Sequence, residues 1–220
     1  MYHRIDVSLS ARDPVTVHLT VMASAFEAQL RALHGAGYRS LTLDDLWAAL
    51  VEHVPVPPRR VVLTFDDGYE DNYTVAFPLL RRYGFVAAFF IVTSTVGKPD
   101  HLTAAQLQEM ARAGMEIESH GQHHVDFSRL PLAVARGELL HSREAIEQWA
   151  GRPVTFFAYP AGRYTAPLER LLGDLHYRGA VTEVPGLVGP ASDPFALERV
   201  RVDHDDSLEV FARKLHLPAP

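Results

Sequence analysis

The 220-residue chain has the composition of an ordinary folded protein, with 47% hydrophobic and 22% charged residues. Lys and Arg number 21 against 27 Asp and Glu, so the formal net charge is −6 at pH 7. No run of basic residues forms a stripe that would neutralise phosphates. These properties exclude a disordered or fibrous chain, and we expect no nucleic acid among its partners.

The absence of cysteine limits the chemistry of the chain. Without thiolates there is no disulfide framework, and any transition metal must be held by His, Asp or Glu. The longest apolar run, residues 85–92, is far shorter than the roughly 20 residues of a membrane span, and residues 1–13 do not resemble a signal peptide. We expect no transmembrane segment and a cytoplasmic protein as written, or an extracellular or cell-surface one if an export segment has been removed. The oligomeric state stays open.

Helix and strand signals alternate from the N-terminus onward. Ser24 and Glu27 resemble a capping box that opens a helix ending near Gly35, and Thr42 predicts the start of a second helix. The β-branched run 60–65 predicts a strand that is covered on both faces. Further signals predict helices over 73–83, 103–114, 131–150, from 167 and from 207, and strands over 85–92, 115–119, 154–159, 179–184 and 197–202.

This alternation predicts an α/β protein. Strands that alternate with helices form a mainly parallel sheet with helices outside, either a barrel or a doubly wound layer. Residues 185–194 are rich in Pro and Gly and predict a loop, but too little chain follows them to form a second domain. We therefore predict a single domain over residues 1–220.

Polar side chains follow two of the predicted strands, where parallel α/β folds bind their ligands. Asp66 and Asp67 follow one strand, and His120 and His124 follow another. Adjacent carboxylates repel unless a cation or a shared proton compensates them, and histidines at i and i+4 can converge on one ion. One carboxylate and two imidazoles leave a coordination position open, and the other carboxylate is then free to act as a base. Each motif alone is also typical of a solvated turn or a surface histidine pair.

Three motifs together resemble the polysaccharide deacetylases, the NodB-homology family of carbohydrate esterases known as family 4. They are TFDDGY at residues 64–69, His-x-x-x-His at 120–124 and FAYPAG at 157–162. The order and spacing of the motifs are most similar to the circularly permuted members that deacetylate poly-β-1,6-N-acetylglucosamine. The resemblance implies a distorted (β/α) barrel with mainly parallel strands and outer helices.

The resemblance also implies roles for individual residues. Asp66 becomes the general base, and Asp67, His120 and His124 become the metal ligands. The backbone N–H of Ala161 becomes the donor to the oxyanion. These ligand types favour Zn²⁺ and also suit Co²⁺ or Ni²⁺. In addition, the rings of Tyr69, Tyr159 and Tyr164 are predicted to contact the substrate.

The sequence departs from the family pattern at the residue that orients the base. Many members have an arginine in the third motif, where this chain has Ala158. Arg199 and Arg201, near the end of a late strand, are the candidates to orient Asp66 in its place.

A second departure concerns the general acid. The histidine that ends a late apolar strand in many members is not found, and His204 lies in an acidic segment typical of a solvated loop. In the permuted members this motif lies at the N-terminus, so we predict that His3 is the general acid.

The implied reaction is the metal-dependent hydrolysis of N-acetyl groups on an amino-sugar polymer or oligomer, with release of acetate. The implied partner is an N-acetylated polysaccharide or oligosaccharide. Two alternatives stay open at this stage: a deacylase of a small-molecule or lipid-linked amide, and an inactive carbohydrate-binding relative.

Overall fold

The fold is known from a computed structural model that describes residues 1–7 and 14–217. Within these ranges ten short strands alternate with eight α-helices. The strands are Arg4–Asp6 (β1), Thr20–Met22 (β2), Arg39–Ser40 (β3), Arg60–Val61 (β4), Thr64–Phe65 (β5), Ala88–Ile91 (β6), Glu116–Ser119 (β7), Phe156–Ala158 (β8), Gly179–Pro185 (β9) and Leu197–Arg199 (β10). The α-helices are Pro14–Leu19 (α1), Ala23–Gly35 (α2), Leu43–Val51 (α3), Phe77–Tyr83 (α4), Ala104–Arg112 (α5), Leu132–Ala150 (α6), Ala166–Asp174 (α7) and Leu208–Lys214 (α8).

Side-chain caps start several helices where the sequence predicts them. Thr42 and Asp45 form a capping box at the start of α3, and Thr103 and Gln106 form one at the start of α5. Ser207 accepts a hydrogen bond from a backbone N–H of the first turn of α8. Among the described helices, none has the length and apolar character that a membrane crossing requires.

The start of α2 differs from its prediction. The helix begins at Ala23 and its N-cap residue is Met22, with no side-chain cap, so Ser24 already lies inside the first turn. The reason is tertiary, because β2 pairs in parallel with β1 up to Met22 and leads directly into the helix.

The predicted strand over 60–65 is interrupted. Its first half is β4, which pairs with β3, whereas its second half is β5, which pairs with β6 in the main sheet. The two residues between them carry the chain from one partner to another. The short strands β1, β2 and β3 are absent from the prediction, because pairings of two or three residues leave no hydrophobic period in the sequence.

The main sheet has six parallel strands in the order β10-β9-β8-β7-β6-β5. Each strand lies beside its neighbour in sequence and the order never reverses, which is the pattern of a barrel and not of a doubly wound layer. Residues 1–2 span the space between the two edges: Tyr2 N–H donates to Thr64 O at 2.8 Å, and Val202 N–H donates to Met1 O at 3.1 Å. The predicted distorted barrel of parallel strands with outer helices is confirmed. The single domain over 1–220 stays a prediction.

The sheet is apolar on both faces, and each face packs differently. The outer face packs against the helices. There the stacked rings of Tyr2, Phe65 and Phe89, with centroids 5.2 and 4.8 Å apart, run from the bridge at Tyr2 across β5 and β6. The inner face packs against α3 through a separate cluster of buried apolar side chains. That cluster consists of Leu43, Ala88, Phe90, Phe156, Ala158, Val181 and Leu197, with Trp47 and Leu50 of α3 beside it.

Two glutamates of β7 accept hydrogen bonds from backbone N–H groups at the inner face of the sheet. Glu116 accepts hydrogen bonds from the N–H of Leu43 at 2.9 Å, at the start of α3, and Glu118 accepts from those of Thr155 at 2.9 Å and Phe156 at 2.7 Å. Burial raises the pKa of Glu116 to about 7 and raises the pKa of Glu118 well above its ordinary range. The barrel interior therefore contains carboxyl groups that burial favours in the protonated form.

We expect Phe89→Ala to lower the free energy of unfolding by about 3–5 kcal/mol, because it removes a fully buried ring from the stack and leaves a cavity. Urea unfolding followed by circular dichroism measures this. Leu132→Ala is the control, since Leu132 is 47% exposed and its truncation should cost less than about 0.5 kcal/mol. A loss below about 1 kcal/mol for Phe89→Ala would contradict the assignment of this ring to the core.

We expect Glu116→Gln to reduce the loss of stability as the pH rises. The folded state keeps the Glu116 proton up to about pH 7, whereas the unfolded chain releases it near 4.5, so its contribution to stability falls across that window. Glutamine still accepts a hydrogen bond from α3 but does not titrate. Thermal unfolding at about pH 5 and about pH 8 tests this. Glu144→Gln is the control, because Glu144 is exposed on α6, and its stability should depend on pH as that of wild type does. If the stability of Glu116→Gln falls between the two pH values as much as that of wild type, the expectation is refuted.

Candidate active site

The carboxyl ends of the main-sheet strands meet at one edge, and the predicted site residues lie there. Asp66 and Asp67 follow β5, and His120 follows β7. The third motif follows β8, and Arg199 is the last residue of β10. Strand direction alone therefore brings together residues that are far apart in sequence.

The centre of this edge is a buried ion pair between Asp66 and Arg199. The guanidinium donates to both carboxylate oxygens, from Nη1 to Oδ1 at 2.8 Å and from Nη2 to Oδ2 at 2.7 Å. Arg199 also donates to Thr182 O from Nε at 2.7 Å and to Thr64 Oγ1 from Nη1 at 3.2 Å. Asp66 is only 1% exposed, so its charge has a fixed and planar partner in place of water.

This pair decides the protonation of Asp66. Burial alone would raise the pKa of the carboxyl group, but the charge and hydrogen bonds of Arg199 outweigh it and hold the pKa well below the ordinary value. Asp66 is therefore an ionised carboxylate near neutral pH, and its orientation is fixed by Arg199.

Arg201, the other residue predicted to orient Asp66, lies elsewhere. Its guanidinium contacts Glu183 at 3.2 Å and Asp203 at 3.3 Å. The prediction of a base-orienting contact is therefore wrong for Arg201. The two arginines are two residues apart, but β10 ends at Arg199, so Arg201 lies beyond the strand and meets different carboxylates.

Next to the ion pair, Asp67, His120 and His124 converge. One ligand atom from each lies within 4.8 Å of the others, and Asp67 Oδ1 is 3.5 Å from Nε2 of both histidines. Ligands at about 2.0–2.1 Å from a tetrahedral zinc ion lie about 3.4 Å from one another. An Asp-His-His donor set at this spacing therefore fits a divalent metal ion with room for a further ligand.

His120 is oriented by contacts on its far side. Its Nδ1 lies 2.7 Å from Ala158 O, which assigns the hydrogen to Nδ1 and leaves the Nε2 lone pair towards Asp67. Burial lowers the pKa of His120, so the ring is neutral, as a metal ligand must be. The residue that replaces the family arginine, Ala158, thus supports the site through its backbone.

Three residues of the site have left-handed backbone, which is uncommon outside glycine. They are Asp67 (φ 76°), His124 (φ 52°) and Ala161 (φ 53°). Such backbone is retained only where the surroundings hold it.

His3 lies beside Asp66 because the residue before it, Tyr2, pairs with β5. Asp66 N–H donates to Tyr2 O at 3.0 Å, and the side-chain amide of Asn72 donates to His3 O at 2.8 Å. His3 is 8% exposed. Burial lowers the pKa of its imidazole, while the carboxylates of Asp66 and Asp67 act in the opposite direction.

Ala161 is exposed in the short 3₁₀ turn Pro160–Gly162 after β8. The hydrogen bonds of this turn come from the N–H groups of Gly162 and Arg163, so that of Ala161 takes part in neither. Gly162 has φ +65°, and an added Cβ would lie 2.7 Å from Glu183 N, so the turn packs directly on β9 and depends on glycine here.

The three predicted substrate tyrosines have different environments. Tyr159 is completely buried and its hydroxyl donates to Phe195 O at 2.9 Å, so the prediction that its ring contacts substrate is wrong. It instead supports the ring of Tyr164, which stacks on it at 4.9 Å and is partly exposed. Tyr69 is also partly exposed, and its ring lies against the guanidinium of Arg4 at 4.4 Å. For Tyr69 and Tyr164 the substrate contact stays a prediction.

Two supporting residues were missed at the sequence level. Asn72, fully buried, follows the first motif by a few positions and holds the His3 backbone. Glu138 of α6 accepts hydrogen bonds from the loop between His120 and His124. Asn72 could have been predicted, because it is a polar residue close to the first motif. Glu138 could not, because nothing in the sequence links it to the histidine motif.

Comparison with known proteins agrees with these observations. The sequence profile of the family described as polysaccharide deacetylase matches residues 53–180. A Bacillus subtilis protein named for the polysaccharide deacetylases, YxkH, is 34% identical over 92% of this chain and 70% of its own length. The poly-β-1,6-N-acetyl-D-glucosamine N-deacetylase of Escherichia coli K12 is 28% identical over 90% of this chain, which spans only 36% of that protein.

Solved structures show the same fold. The Streptococcus pyogenes deacetylase PplD, determined in complex with acetate, superposes with a TM-score of 0.89 at 28% identity, covering 97% of this chain and 95% of that one. A polysaccharide deacetylase from Bacillus cereus has a TM-score of 0.86 at 26% identity, covering 98% and 67%. The profile spans more than half of the chain, and YxkH is 34% identical to the chain over 92% of the chain's length. The chain therefore belongs to the polysaccharide deacetylase family and is a hydrolase that acts on a carbon–nitrogen (amide) bond.

Proposed function

We propose that the protein removes N-acetyl groups from an amino-sugar polymer or oligomer with the help of a bound zinc ion, releasing acetate. The observation that carries the proposal is the Asp66–Arg199 ion pair directly beside the converging Asp67, His120 and His124. The relatives support it, because one is named for poly-β-1,6-N-acetylglucosamine and another was solved with acetate, the acid that deacetylation would release.

The metal would be held by Asp67, His120 and His124. When bound, the ion polarises the attacking water and the acyl oxygen. One carboxylate and two imidazoles favour zinc among the common divalent ions, and Co²⁺ or Ni²⁺ are expected to substitute.

Asp66 accepts a proton from the attacking water. Arg199 occupies one lone-pair direction on each Asp66 oxygen, and a carboxylate oxygen has a second direction available for that proton. Because Arg199 keeps the carboxyl group ionised, the base is in its active form over the whole neutral range. The water oxygen then forms the bond to the acyl carbon.

His3 donates a proton to the amide nitrogen as the carbon–nitrogen bond breaks, so that the sugar leaves as an amine. The pairing of Tyr2 with β5 brings His3 next to Asp66 in space, and the imidazole is near enough for the charge of the Asp66 carboxylate to act on its pKa. His3 takes this proton from solvent before the reaction, helped by the Asp66 and Asp67 carboxylates, which favour the charged imidazole, and burial favours its release to the nitrogen.

The backbone N–H of Ala161 donates to the oxygen that becomes negative during the attack. Its exposure and its left-handed backbone in a turn packed on β9 give a donor that is fixed before substrate binds. Tyr164, supported from behind by Tyr159, offers one ring face to a sugar at the edge of the site.

We expect chelated protein to release no acetate from N-acetylglucosamine oligomers and to regain activity when zinc is restored. Coupled acetate detection on β-1,6-linked and β-1,4-linked oligomers measures this, and we expect the β-1,6 series to be preferred. Zinc bound at one equivalent with no acetate from either series would overturn the polymer assignment and favour a small amide substrate.

We expect Asp66→Asn and His3→Ala to lower kcat by about 10²–10⁴-fold while zinc still binds, since both groups transfer protons and neither ligates the ion. His120→Ala should instead weaken zinc binding, because it removes a ligand. Zinc titration and steady-state kinetics on the same preparations separate the two effects. Wild-type kcat for His3→Ala would remove His3 from the mechanism.

A further inference from the structure

We propose that Glu138 of α6 is a positioning residue for the metal site, which fixes the backbone between the two histidine ligands so that His124 faces Asp67. This inference rests on the proposed metal site and concerns how one of its ligands is held. Glu138 is 11% exposed at its side chain and lies 14 positions after His124, on a different element.

The carboxylate of Glu138 binds a row of backbone donors. Its Oε2 accepts from the N–H of Gln122 at 3.0 Å and from the N–H of His123 at 3.0 Å. The preceding N–H, that of Gly121, donates to Ser119 Oγ at 3.1 Å. Successive N–H groups that point to one side form a concave site for an anion, and Glu138 supplies that anion from within the chain.

The same carboxylate also holds the side chain of His123. Its Oε1 lies 2.6 Å from Nδ1 of His123, and because a carboxylate only accepts, the hydrogen must lie on that nitrogen. The side chain of His123 is half exposed, and this contact gives the loop a further attachment to α6 immediately before His124.

His124 needs this support more than His120 does. His120 is buried, and its Nδ1 is held by Ala158 O, whereas the side chain of His124 is 44% exposed. Among the residues that the structure describes, Nδ1 of His124 has no hydrogen-bond partner. Its position is therefore set by its backbone, which is in the left-handed region at φ 52°.

Helix α6 is a rigid support for these contacts. Ser142, one turn after Glu138 on the same face, hydrogen-bonds Ser119 Oγ at 2.7 Å, and that oxygen in turn accepts from Gly121. Two side chains of one 19-residue helix thus fix both the start and the middle of the loop. Partners of this kind behind metal ligands set the affinity of the site.

The test is the affinity of the metal-free protein for zinc, measured by competition with a chromophoric chelator. We expect Glu138→Ala to bind zinc about 10–100-fold more weakly than wild type. Glu138→Asp keeps the charge but loses reach, and we expect a similar loss. Glu138→Gln keeps an acceptor oxygen at the right distance, and we expect it to recover most of the affinity.

Glu144→Ala is the matched control, since Glu144 is exposed on the same helix, and it should bind zinc as wild type does. Substitution with Co²⁺ adds a spectroscopic readout, because a displaced His124 changes the visible absorption of the bound ion. Wild-type zinc affinity and Co²⁺ spectrum in Glu138→Asp and Glu138→Ala would overturn the inference. If Glu138→Ala does not fold, the contrast between the Asp and Gln variants decides. Failure of wild type to bind zinc would instead overturn the proposed metal site.

Discussion

The ion pair between Asp66 and Arg199 is the interaction on which the rest of the site depends. It joins residues 133 positions apart, at the ends of the first and last strands of the six-stranded sheet. A buried charge is stable only with a partner, and removal of one member of such a pair costs about 3–5 kcal/mol. The pair therefore links the closure of the barrel to the ionisation of Asp66. Arg199 thus has two effects. It keeps Asp66 ionised, and it joins the two edges of the sheet, between which residues 1–2 lie.

The two ends of the barrel interior have different roles. At the amino ends of the strands, α3 packs against the inner face, and Glu116 binds its first turn. At the carboxyl ends, short turns carry the polar side chains of the candidate site and three residues with left-handed backbone. Apolar side chains thus fill the interior near the amino ends of the strands, whereas the candidate site lies at the carboxyl ends.

The two candidate metal-ligating histidines are held in different ways. His120 is fixed through its own ring by a carbonyl of the adjacent strand, whereas His124 depends on a loop whose N–H groups bind a carboxylate of α6. His3 follows a third pattern, because its backbone is tied to β5 and to Asn72. The site is thus assembled from separate segments, and Asp66 is held by Arg199 of β10 and not by the third motif, where this chain has Ala158.

The sequence alone determined the parallel α/β class, most of the longer helices, and the residue types that meet at the site, because these follow from hydrophobic period, capping residues and motif spacing. Asp66, Asp67, His120 and His124 lie together simply because parallel strands end at one edge. Tertiary structure decided what no local pattern encodes. It selected Arg199 and not Arg201 as the partner of Asp66, since only one of the two lies within the strand. It buried Tyr159, split the strand at residues 60–65 between two partners, and brought Glu138 to the histidine loop. Each of these outcomes depends on contacts between segments that are distant in sequence. Those contacts stabilise the protein only when the barrel has closed, so no local pattern predicts them.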